Sequence, residues 1–214
     1  MEKRYFFYVC CIVLVISSCQ KKKIDIPAGT DIPKAGSKWL YTLTSTYTGL
    51  PTTSLDVELT ARDSVINGEN WLAIYLKPVS QNFEPTPVYA LKGSGVTWSV
   101  INFQNNKSGI WLSSPVLTGQ YINIQNPVSF DYGMRSGGPR TMLVTDVTST
   151  MINGVFYSDV VSAGYVETIQ DIQYSEGIEY TNVAWLMRKY VYREINHLTN
   201  VEVTNTWDLK SFTK

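Results

Sequence analysis

Apolar and polar residues alternate along most of this chain, and the alternation predicts strands. Trp39, Tyr41, Leu43 and Tyr47 take turns with Lys38, Thr42, Thr44 and Thr46. Leu55, Val57, Leu59 and Ala61 do the same against Asp56, Glu58, Thr60 and Arg62. A period of two puts one face of each strand in a core and the other in water. The stretch 71–76 differs, because Leu72, Ile74 and Leu76 oppose Trp71, Ala73 and Tyr75, so both faces are expected to be covered. Shorter strands are predicted at 88–92, 96–101, 110–113 and 121–125, separated by Gly- and Asn-rich turns. Residues 141–151 and 155–168 read as a long hairpin. A polar loop is expected at 171–177, followed by one long strand at 178–195, whose β-branched and aromatic content favours strand over helix. The last strand, 201–210, is expected to end before Phe212, which falls out of phase with its apolar face.

Turn chemistry supports this reading. Asn67-Gly68 and Asn153-Gly154 each sit between two strand patterns, and a two-residue hairpin turn of this kind needs φ > 0 at both positions. The fold class is therefore all-β: a single domain over 35–214 of ten or eleven mostly antiparallel strands. Their number and length point to a strongly curved sheet, half-barrel or barrel-like sandwich. Two similar halves are a further expectation. Pro33, Gly36, Trp39 and Ile66-Asn67-Gly68-x-x-Trp71 are echoed by Pro115, Gly119, Tyr121 and Ile152-Asn153-Gly154-x-x-Tyr157. Chance recurrence of a common hairpin sequence explains the same match.

The N-terminus follows another pattern. Lys3 and Arg4 precede an unbroken apolar run from Tyr5 to Ile16, which ends at Ser17-Ser18-Cys19. Such a run spans roughly 20 Å as a helix, short of the roughly 30 Å of hydrocarbon in a bilayer, so 1–18 reads as a cleaved signal peptide. The order aliphatic-small-small-Cys resembles the lipobox of bacterial lipoproteins, which implies lipid attachment at Cys19. Residues 19–34 then form a tether, polar and carrying Pro27 and Pro33. Lys21, Lys22 and Lys23 suit anionic headgroups, and equally suit a soluble linker. Surface-exported lipoproteins of the Bacteroidota resemble one another in an acidic run after the cysteine, whereas this run is basic. Gln20 also differs from the aspartate that retains many lipoproteins in the inner membrane. The resemblance thus implies an outer-membrane anchor on the periplasmic face.

Charge and cysteines narrow the chemistry. Eighteen basic residues balance eighteen acidic ones, which gives no electrostatic footprint for nucleic acid. Cys10 and Cys11 leave with the signal peptide, so no disulfide and no thiolate metal site is expected. His197 is the only histidine, and it lies in a predicted turn. There is no G-x-S-x-G elbow, and Asp171, Glu176 and Glu179, the densest acidic cluster, lack the spacing of a calcium loop. No catalytic residue, metal site or cofactor is assigned. Six Trp and 14 Tyr are the positive oddity, since both line amphipathic ligand sites and both fill strand cores.

The opening Pro, Gly and aromatic, the Ile-Asn-Gly hairpin and a late aromatic strand resemble small Bacteroidota lipoproteins with a DUF3108-like domain. Those are similar in turn to the half-barrels of LolA-type lipoprotein carriers and mycobacterial lipid-binding lipoproteins. The run Ala184-Trp185-Leu186-Met187-Arg188-Lys189 stands where such families carry a Gly-Val-Gly, and no functional residue transfers. The lone turn histidine and the missing nucleophile point to a protein that is not an enzyme, and the resemblance implies an envelope lipoprotein that binds an apolar or amphipathic ligand such as lipid within its curved sheet. Phe130, Tyr132 and Met134, in the irregular stretch 126–139, are the candidate ligand lid. Two alternatives stand beside this: a structural or interaction lipoprotein with an envelope-protein partner, and a carboxylate-dependent enzyme acting on glycans.

Overall fold

The computed structural model describes residues 33–94, 97–103, 107–113, 116–124, 140–152, 154–181 and 187–213. They form twelve strands: β1 (Lys38–Tyr47), β2 (Thr53–Ile66), β3 (Glu69–Pro78), β4 (Thr86–Ser94), β5 (Thr97–Asn102), β6 (Lys107–Ser113), β7 (Tyr121–Ile124), β8 (Arg140–Ile152), β9 (Val155–Ile169), β10 (Ile172–Thr181), β11 (Met187–Asn196) and β12 (Val201–Thr213). All belong to one sheet in the order β6-β5-β4-β3-β2-β1-β12-β11-β10-β9-β8-β7. Each strand pairs antiparallel with its sequence neighbours, except that β6 and β7 form the two edges and β1 pairs with β12.

This connectivity forces curvature. Laid flat, twelve strands would separate their edges by about 50 Å. The chain runs from Ser113 at the end of β6 to Tyr121 at the start of β7, eight steps that reach about 30 Å at most. The sheet therefore curls until β6 and β7 come within 8 Å, measured between Cα atoms. No ladder joins them among the described residues, so the sheet is curved but not closed. The strands are also staggered. The row through Tyr121 passes Leu143, Gly164, Gly177, Val191 and Thr206 to reach β1 at Thr44, near its end. The row through Asn102 passes Tyr89 and Ile74 and meets β2 at Ala61, just beyond the start of β1. Such a stagger accompanies the strand tilt of barrel-like sheets.

The two halves are built alike. Gly36 N–H donates to Ala61 O at 2.9 Å, Ala61 N–H to Ser37 O at 2.9 Å, and Lys34 N–H to Ser37 Oγ at 3.0 Å. In the second half Gly119 N–H donates to Val144 O at 2.8 Å, Val144 N–H to Gln120 O at 2.8 Å, and Leu117 N–H to Gln120 Oε1 at 3.1 Å. The registers Lys38↔Thr60 and Tyr121↔Leu143 match in the same way. Gly36 and Gly119 both take positive φ, 91° and 84°. The sequence match was one residue out at its aromatic. Trp39 corresponds to buried Ile122, while Tyr121 points to solvent.

Three strand boundaries differ from expectation, and one of them, the split of 178–195 into two strands, raises the count from ten or eleven to twelve. The polar stretch 171–177 is mostly strand, because the β9–β10 turn is only Gln170-Asp171, with Ile169 paired to Ile172 and Gln170 at φ 55°. The long strand expected at 178–195 is two strands, β10 and β11. At the C-terminus β12 runs on to Thr213, since a bulge against Leu40 and Tyr41 inserts Lys210. That extra residue returns Phe212 to the core face, its ring 5.3 Å from Trp39.

The Asn-Gly turn reads as expected: Asn67 has φ 53° and Gly68 φ 79°, between paired Ile66 and Glu69. A Cβ at Gly68 would meet nothing within 4 Å, so any penalty there is backbone strain alone. Gly68→Val should destabilise by about 1–3 kcal/mol. A urea melt with an unchanged midpoint would show that this turn does not require left-handed backbone.

Candidate functional site

The concave face was the expected ligand site, and among the described residues it carries the main core. One continuous core draws residues from both halves, among them Trp39, Leu59, Tyr89, Met142, Tyr180 and Trp207. Trp207 is fully buried and meets Tyr41 edge-on, ring centroids 5.8 Å apart. The Tyr41 hydroxyl donates to Met187 O at 2.7 Å, which ties β1 to β11 across β12. Burial, then the neighbouring Tyr89, raises the Tyr41 hydroxyl well above the usual phenol range, and burial alone raises Tyr89 and Tyr180. The Tyr180 hydroxyl is buried with no hydrogen-bond partner. Among the described aromatics, Trp39, Tyr41, Tyr89, Tyr180 and Trp207 therefore serve as packing. Trp71, on the other face of β3, seeds a second small cluster with Ala90 and Ile101, as the doubly apolar pattern of that strand predicts.

Alternation separates the acidic cluster Asp171, Glu176 and Glu179. Asp171 lies in the β9–β10 turn, where its carbonyl accepts from His197 N–H at 2.8 Å. Glu176 shares the inward face with Ile178 and Tyr180, and Arg140 Nε donates to its Oε1 at 3.2 Å, the two side chains 7% and 13% exposed. To reach it from β8, Arg140 crosses β9 over the Tyr165 ring, with Cζ 5.2 Å from the centroid. Partial burial and the Glu167 carboxylate push the Tyr165 hydroxyl up to about 12, against the pull of Arg140. Glu179 faces outward and pairs with Arg188. The three carboxyls thus share no site. Among the described residues, no group of three or more His, Cys, Asp or Glu side chains is placed to hold a metal ion.

A depression on the convex face was not anticipated. Gly164 and Gly177 lie directly opposite each other on β9 and β10, and they floor a half-open trough of about 330 Å³ with bare backbone. Thr145, Ser162, Glu179, Lys189 and Val191 line it. Beyond Gly164 the same row continues to Leu143 and exposed Tyr121. The charges at its rim are already matched, Glu179 by Arg188 and Lys189 by Asp208 at 3.9 Å. A Cβ at Gly177 would meet nothing within 4 Å, and one at Gly164 only the Glu176 carbonyl at 3.4 Å. Glycine inside a strand costs roughly 0.5–1 kcal/mol relative to alanine. Intramolecular packing does not ask for that cost at Gly177.

Cys19 and the lid candidates Phe130, Tyr132 and Met134 lie outside the described residues. His197 occupies the turn between β11 and β12, as expected, and is exposed there. The trough was legible only in part: both glycines are visible in the sequence, but their pairing depends on the Gln170-Asp171 turn, hidden inside a polar stretch. Comparison with protein-family models, curated proteins and solved structures finds no match in any of the three.

Proposed function

We propose that this chain is a non-catalytic lipoprotein of the cell envelope, anchored through Cys19 to the outer membrane on its periplasmic face. Its β-domain binds a small, neutral amphipathic group on the convex surface, at the Gly164–Gly177 trough. The observation that carries this reading is the contrast between the two faces. Among the described residues the concave face carries a continuous aromatic core, while the convex face offers an open floor of peptide and Cα atoms. At about 330 Å³ the trough sits at the small end of ligand pockets, roughly 300–1,000 Å³, and suits one ring better than an acyl chain. Its matched rim charges favour a neutral occupant, with Thr145 and Ser162 as polar partners. The near-zero net charge fits a role without nucleic acid.

The test is a photo-crosslinking side chain at Ser162 of the full chain in its native envelope, with and without Gly177→Leu. Leucine at 177 has room to fold and fills the trough. A low-mass adduct in the parent, lost in the Gly177→Leu chain with its melting temperature held, is the expected result. A polypeptide adduct lost in the same way would assign the trough to an envelope-protein partner instead. No adduct, together with saturable phospholipid binding that Gly177→Leu leaves intact, would return the ligand to the concave face.

A further inference from the structure

The β8–β9 hairpin is longer than its twin and differs from it in character. From the shared hydrogen-bonded position to the turn, the first half runs from Ala61 to Ile66 and the second from Val144 to Ile152, three residues more. Register shifts between Val144 and Asp146 and between Thr148 and Thr150 accompany the extra length. Among the described residues, the ladder of β7 to β8 covers only Arg140–Leu143, and β10 pairs with β9 only from Val160 onward. Beyond those points the hairpin pairs with itself, from Thr148↔Val160 to Ile152↔Val155, so among the described residues its tip stands clear of the neighbouring strands. Met151 and Phe156 are directly paired there, 57% and 64% exposed. No residue from Val147 to Ser158 carries a charge, whereas the twin hairpin bears Arg62, Asp63 and Glu69. An uncharged tip with an exposed Met–Phe pair is poorly suited to water.

Its place in the fold says what it faces. In an up-and-down sheet the turns alternate between two ends. The turn after β8 shares its end with the turn after β2 and with Pro33–Ser37, where the chain enters β1. Thirteen residues, 20–32, separate Cys19 from Pro33, a reach of about 50 Å at most. Leu117, exposed in the connection leading into β7, lies at this end too. Leu50, Phe83 and Leu198 are exposed at the opposite end. The ten residues of β1 hold those turns about 30 Å farther away.

We propose that the tip of the β8–β9 hairpin contacts the bilayer, with Met151 and Phe156 seated in its interfacial zone and the domain standing on the membrane by this end. The inference rests on the lipid-anchor reading above and adds an orientation to it. Two apolar side chains give weak binding alone, but a lipid already holds the domain at the surface, where a shallow contact is enough to set its tilt.

Residues 20–214 contain no cysteine, so a single introduced thiol reports its own surroundings. The full chain, processed and lipidated, is reconstituted into phosphatidylethanolamine–phosphatidylglycerol vesicles with a polarity-sensitive dye on Met151→Cys or on Leu198→Cys. Dye at 151 should be blue-shifted and quenched several-fold more strongly by bromine-labelled acyl chains than dye at 198. Phe156→Ser should reduce that quenching. Water-like emission at both sites, in protein that floats with the vesicles, overturns the orientation and leaves the anchor standing. Protein that fails to float overturns the anchor and the orientation with it. Shielding at 151 by lipid-free envelope proteins, without quenching in vesicles, would assign the tip to a protein partner and overturn the membrane contact.

Discussion

Raising the pH should unfold this protein cooperatively, with a midpoint near about pH 12 at room temperature. Tyr41, Tyr89 and Tyr180 are buried on the concave face, and burial raises the hydroxyl pKa of each above the ordinary phenol value. A group whose folded pKa is raised contributes stability that is complete below its unfolded pKa, here about 10. That stability drains away as pH climbs toward the folded value, because the unfolded chain releases its proton first. Each tyrosine then costs about 1.4 kcal/mol per pH unit, so three cost about 4 kcal/mol per unit. Two units above pH 10 bring the loss to about 8 kcal/mol, comparable with the 5–15 kcal/mol of a typical domain. Ionisation of these three buried tyrosines should therefore coincide with the loss of β circular dichroism, in one step. Tyr180→Phe removes a buried hydroxyl that has no partner, and should flatten the alkaline slope by about a third. Ionisation of Tyr41, Tyr89 and Tyr180 with the β signal intact would mean that these hydroxyls reach solvent in the folded state.

The same tyrosines mark how far the sequence could be read. Period-two alternation identified most strands and placed Trp39 and Tyr41 on the core face, because a strand with one wet side leaves that signature. It also marked β3 as covered on both sides, which the two clusters around Ile74 and Trp71 bear out. Alternation fails where polar residues lie inside. Glu176 belongs to the inward face of β10, stabilised there by Arg140 from two strands away, and its polarity made the stretch look like a loop. Bulges defeat it as well: one inserted residue, Lys210, reverses the phase that put Phe212 outside. The repeat was visible at its glycines because Gly36 and Gly119 hold positive φ, a backbone requirement independent of packing. The trough was legible only in part, for the opposite reason. It is made of missing side chains, brought together by a register that no local pattern specifies.

Trp207→Ala should be among the most damaging single substitutions in the domain, costing about 3–5 kcal/mol. Trp207 has no exposed surface and sits on β12, opposite Leu43 of β1 and Tyr190 of β11. Its position matters as much as its size. Among the described residues, the β1–β12 ladder is the only strand pairing between the two six-stranded halves. Truncation leaves a cavity against Tyr41, and the Tyr41 hydroxyl carries the bond to Met187 O that spans the same seam. The halves cannot close that gap freely, since each is held by its own five hairpin ladders. Much of the cavity should therefore persist and add to the transfer free energy lost with the indole. Guanidinium melts should show a lower midpoint with an unchanged slope, as one cooperative unit weakened at its centre. The comparison is Tyr121→Ala, an exposed aromatic at the sheet edge, which should shift stability by less than about 0.5 kcal/mol. A loss below about 1 kcal/mol for Trp207→Ala would mean that the seam relaxes around the missing ring. A second transition would mean that the two halves unfold as separate units.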